Sequence, residues 1–128
     1  MMKLETKELV LVAIYTEYQK DLPKMESISP DSIGIDPQLF NVAICKLDNE
    51  GYIRDAVMVF AGDEAFPVVV RTSKVKITNT GIEYIEGLFE IERSSRRYDK
   101  VRKVAEKLVD NVASQVLIGY ITQVLAGF

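Results

Sequence analysis

The 128 residues contain no histidine. That removes the usual proton carrier near neutral pH, the commonest metal ligand and every Ser-His or Cys-His nucleophile pair. Cys45 stands alone, so no multi-cysteine metal site and no internal disulfide can form. Glu83, Glu86 and Glu90 fall at helical spacing, the pattern of a solvated helix edge. Gly81 and Gly87 lack the Lys-Ser/Thr that completes a phosphate loop. The sequence therefore predicts no enzyme, no cofactor and no metal.

Charge chemistry remains. The net charge of −3 is unevenly spread. Residues 1–92 carry 9 basic and 16 acidic side chains, residues 93–107 carry 7 basic and 2 acidic, and Asp110 is the one charge after that. A local block of Arg93, Arg96, Arg97, Lys100, Arg102, Lys103 and Lys107 thus sits on an acidic chain. Such a block fits either phosphate contact or pairing with the chain's own acids. Cations at a helix start oppose the macrodipole, which favours a role beyond local helix stability.

The elements that must position these groups follow from periodicity and punctuation. Residues 7–19 predict a helix with Leu9, Val12, Ala13 and Tyr15 inward and Thr6 as cap. Ser29-Pro30-Asp31-Ser32-Ile33-Gly34 predicts a very short helix, capped by Ser29 and closed by Gly34. Asp36-Pro37 starts a third helix with Leu39, Phe40, Ala43, Ile44 and Leu47 inward, closed by Gly51. Tyr52–Phe60 and Pro67–Ile77 predict a β-hairpin of open register around Ala61-Gly62-Asp63-Glu64-Ala65. Thr78 caps the next helix, with Ile82, Ile85, Leu88 and Phe89 inward. From Tyr98 one long helix runs nearly to the end.

A short helix, a tight glycine turn, a capped helix and a hairpin together predict an α+β, mainly α fold: a winged helix-turn-helix over residues 1–92 with an added C-terminal helix over 93–128. Leu47-Asp48-Asn49-Glu50-Gly51-Tyr52-Ile53 matches the exit from a recognition helix into a wing. Ile77-Thr78-Asn79-Thr80-Gly81-Ile82-Glu83-Tyr84-Ile85 matches the return into the next helix. In these motifs the chain closely resembles the YjcQ-like family of small bacterial and prophage proteins, over about residues 5–92. The resemblance implies the winged-helix fold.

On that fold residues 37–50 would be the recognition helix. Gln38, Asn41, Lys46 and Asn49 can hydrogen-bond base edges, against the acids Asp48 and Glu50. Asp63 and Glu64 at the hairpin tip would repel phosphate. Arg54, Arg71, Lys74 and Lys76 fit either a basic flank or ordinary strand charge.

In the last helix, apolar pairs from Val104-Ala105 to Val124-Leu125 step by four residues. Each step drifts by ~40° around the helix, so the apolar surface winds. Leu108, Val112, Val116, Tyr120 and Val124 are therefore expected to pack on a second copy, as a two-fold dimer; folding back across the chain's own domain is the alternative. Gln115, Thr122 and Gln123 interrupt this segment, and 108–128 hold no Lys or Arg, which argues against a membrane span or surface. The charged N-terminus lacks an apolar signal core, so the expected compartment is the cytoplasm. The leading expectation is a dimeric regulator that binds double-stranded DNA through residues 37–50 and Arg93, Arg96, Arg97, Lys100 and Lys103. The alternative is a protein-interaction module that docks through its C-terminal helix.

Overall fold

The computed structural model describes residues 3–109 and 115–128. Helix α1 spans Thr6–Tyr18, a 3-10 turn Met25–Ser27, α2 Pro30–Ile33 and α3 Pro37–Asn49. Short strands β1 (Ile53–Arg54), β2 (Val57–Val59), β3 (Val69–Arg71) and β4 (Lys76–Ile77) follow. Among the described residues three further helices follow: α4 Asn79–Leu88, α5 Arg97–Leu108 and α6 Gln115–Ala126. The fold is α+β and mainly helical, with small antiparallel ladders, and its element order is compatible with a winged helix.

Helix α1 is the centre of the molecule. Every residue from Val10 to Glu17 is buried. The expected one-sided stripe is absent because a helix that is apolar all round is covered all round. Its cap is Glu5 rather than Thr6, and the Glu8 carboxylate accepts the Glu5 N–H at 2.8 Å.

The punctuation of α2 and α3 is as read. The Ser29 hydroxyl accepts the Ser32 N–H, and Gly34 ends α2 in the left-handed region at φ +69°. Asp36 accepts the N–H groups of Gln38 and Leu39, which satisfies two of the free donors at the start of α3. Phe40, Ala43, Ile44 and Leu47 are buried, whereas Leu39 lies outside the core, 52 % exposed. Position 39 lies at the edge of the face that Phe40, Ala43, Ile44 and Leu47 bury.

The hairpin is one excursion in two ladders. β1 pairs with β4 (Ile53 opposite Ile77), and β2 pairs with β3 (Val57 opposite Arg71, Met58 opposite Val70, Val59 opposite Val69). Asp55, at φ +67°, breaks one arm. A turn at Thr72–Val75 breaks the other, with the Val75 N–H on the Thr72 carbonyl at 3.0 Å. The period-two run expected over 73–77 is thus strand only at its end. The Thr72 hydroxyl lies within 2.9 and 3.1 Å of the Met25 and Ile28 carbonyls, fastening the hairpin to the 3-10 turn. At the return, the Thr78 hydroxyl donates to the Gly51 carbonyl and accepts the Gly81 N–H. A Cβ on Gly81 would run into the Tyr52 carbonyl oxygen, so the motif glycine is a packing requirement.

The long C-terminal helix is two helices. α5 ends at Leu108 and α6 begins at Gln115. α6 packs on α1, α2 and α5. Val101, Val104, Leu108, Leu117, Tyr120, Ile121 and Val124 join the same core cluster as α1 and α3. Much of the winding apolar surface is covered within the chain, by α1, α2 and α5, while Val109 and Val116 stay exposed. Among the described residues no helix is long and apolar enough to cross a membrane.

Candidate functional site

The basic block is the first candidate. The structure gives each of its cations a partner. Arg93 lies 3.8 Å from Glu83, Arg97 2.6 Å from Asp21 and Lys107 3.7 Å from Glu90. Arg96 and Arg102 both flank Asp99, at 3.4 and 3.5 Å. The Lys103 ammonium donates to the Glu90 carbonyl. Lys100 goes furthest: its ammonium meets Glu86 at 2.8 Å, with the two side chains only 11 and 6 % exposed. The Tyr15 hydroxyl donates to the same Glu86 oxygen at 2.9 Å. Burial, then this bond to a carboxylate, raises the Tyr15 hydroxyl far above the ordinary phenol range. Most exposed pairs of this kind add little stability; five acids stand beside six of the seven cations and offset part of their charge, while Lys103 meets only a backbone carbonyl. No hydrogen bond or ion pair among the described residues links the block to α3.

On α3 the expected base-reading groups divide. Gln38, Lys46 and Asn49 are exposed. Asn41 is half-buried, and its amide donates to the Val68 carbonyl at 3.1 Å, bracing the hairpin against the helix. Glu50, at the end of α3, is held by Lys7 at 2.9 Å. Lys46, Arg54, Arg71 and Lys74 have no ion-pair partner among the described residues.

The expected oligomerisation residues are placed otherwise than foreseen. Leu108, Tyr120 and Val124 are buried in the chain's own core. Val116 is half exposed, and its side chain lies where a Cβ on Gly34 would be. Val112 lies outside the described residues. Tyr120 also carries a polar latch: its hydroxyl donates to Glu17 and sits 3.1 Å from the Ser27 hydroxyl. Glu17 accepts the Lys24 N–H and pairs with Lys20, both at 2.9 Å. Burial pushes the Glu17 carboxyl up, but Tyr120, the Lys24 amide and Lys20 together hold it below the ordinary range.

What the sequence reading missed is the hairpin's apolar surface. Val57, Val59, Phe60, Phe66, Val68 and Val69 are all exposed. A shallow groove of about 350 Å³ separates the hairpin from α3, lined by Cys45, Asp48, Asn49, Met58, Ala65 and Phe66. Among the described residues no cluster of three or more metal-ligating side chains exists.

The model of the YjcQ protein family matches residues 9–107. The chain belongs to the YjcQ family. Neither a curated protein nor a solved structure matches it. The YjcQ match takes in α3, the whole hairpin and the basic block, and stops before α6, although α6 completes the core around α1.

Proposed function

We propose that this YjcQ-family chain is a non-catalytic, cytoplasmic winged-helix module that acts by binding protein, with the hairpin rather than the C-terminal helix as its docking surface. One observation carries the reading: six large apolar side chains of the hairpin stand in solvent beside an acidic tip. Val57, Val59 and Val69 share one face of the ladder, and exposed apolar surface of this kind on a small domain marks an interaction site. The internal pairing of the basic block supports the same reading, because phosphate attraction dominates the affinity of DNA binders. The test is a titration of labelled random duplex DNA over a range of salt. No binding is expected even at low salt. Binding that weakens steeply as salt rises would overturn the reading.

A second reading, a dimeric bacterial or phage regulator that binds DNA, keeps its own support. α3 leaves Gln38, Lys46 and Asn49 exposed, and Arg54, Arg71 and Lys74 on the hairpin lack acidic partners among the described residues. In that case α3 would enter the major groove, and Lys46 and Arg71, not Arg96 and Arg97, would carry the phosphate contacts.

A further inference from the structure

We infer that the hairpin's partner is a second copy of this chain, docked hairpin to hairpin about a two-fold axis; this rests on the protein-binding reading and names its partner. In an antiparallel ladder, directly opposed residues project to one side, and so do residues two apart along a strand. Val57 opposes Arg71 and Val59 opposes Val69, so these four make one face. The three valines are between 41 and 48 % exposed. Met58 and Val70, which alternate with them, are half-buried. The valine face therefore points away from the core.

Its two ends differ in sign. Arg71 stands at the base, without an ion-pair partner among the described residues. Asp63 and Glu64 stand exposed at the tip, after the left-handed Gly62, and are likewise without one. The Val59–Val69 pair lies between.

A two-fold contact must be self-complementary, with residue i on j and j on i. An axis through the Val59–Val69 pair lays the tip of each hairpin on the base of the other. Valine then meets valine, and Arg71 of each copy, two residues from the axis, lies over the Ala61–Pro67 level of the other and reaches from there toward its Asp63 and Glu64. A parallel arrangement would set Arg71 against Arg71 and acid against acid. The reversal of sign along the face selects the antiparallel arrangement and provides the charge complementarity that fixes its register.

Sedimentation velocity of the full chain over a concentration series is the test. The expected result is a two-chain mass that dissociates on dilution and more readily at high salt. Val59→Glu places like charges at the axis and should weaken association by at least about tenfold, with the far-ultraviolet circular dichroism unchanged because Val59 contributes little to the core. Glu64→Arg and Arg71→Glu should each weaken it, and the double variant should recover most of the loss. A one-chain mass at every concentration overturns the inference. So does a two-chain mass that Val59→Glu leaves intact, or a charge-swapped double variant no tighter than the singles. A one-chain mass without duplex binding overturns the dimer and leaves the protein-binding reading. A two-chain mass with salt-dependent duplex binding overturns that reading and leaves the dimer.

Discussion

Lys100, a candidate phosphate contact by its neighbours in sequence, lies against Glu86, whose same oxygen accepts the Tyr15 hydroxyl. A buried pair of this kind is costly to break and cheap to replace whole, because desolvation offsets much of the attraction. Glu86→Leu should cost about 3–5 kcal/mol by leaving an uncompensated ammonium. Glu86→Leu with Lys100→Met should cost far less than the two single changes together; urea unfolding of the four proteins measures the difference. Glu17 gives a second test. Its folded pKa lies below the unfolded value, so its contribution is complete above the ordinary carboxyl range and is lost as pH falls through the depressed folded value. The melting temperature should therefore drop on the acid side. Tyr120→Phe should lower stability by about 1.5–3 kcal/mol near neutral pH, the range for a hydrogen bond to a charged group. It should also flatten that acid-side drop, since the carboxyl then keeps fewer donors.

At the level of elements, α6 decides whether the C-terminal segment is a subunit contact or a piece of core. Leu117 is fully buried against the chain itself. Leu117→Ala should destabilise the fold by about 2–5 kcal/mol and leave the association constant unchanged once the protein is folded, read by denaturant titration and by sedimentation. The local punctuation of α2, α3 and α4 was legible because Ser29, Gly34, Asp36 and Gly51 act within a few positions and Thr78 caps Gly81 three residues on, whereas the Thr78 bond back to Gly51 was not legible. The end of α5 was not legible. Residues 109–114 contain neither glycine nor proline, and the apolar pairs continue across them. Hairpin register was equally hidden, since Val57, Met58 and Val59 are alike in type and only the packing on α3 tells the inner residue from the outer two. The apolar surface of α6 was read correctly as needing cover on several sides. That α1 supplies one of those sides is not legible, because nothing local in a sequence points to a helix about a hundred residues earlier.

For the whole molecule, the charge of a segment is not by itself the charge of a surface. The block at 93–107 is basic by count, yet the acids that answer it come from Asp21, Glu83, Glu86 and Glu90 as well as from its own Asp99. If duplex DNA is bound at all, Lys46→Ala and Arg71→Ala should reduce the low-salt affinity and its salt slope, and the double change Arg96→Ala, Arg97→Ala should alter neither by comparison; the duplex titration reads all four. The total burial of α1 has a consequence in time rather than in space. During synthesis α1 is made before α6, and Leu117, Tyr120 and Ile121 of α6, which help to cover it, follow more than a hundred residues later. Until then a stretch from Val10 to Tyr15 with no polar side has no complete shelter. Its contacts join distant parts of the chain, and such contacts form slowly. The nascent chain is therefore vulnerable to aggregation until α6 is made, and a ribosome stalled ahead of α6 should present α1 to chaperones.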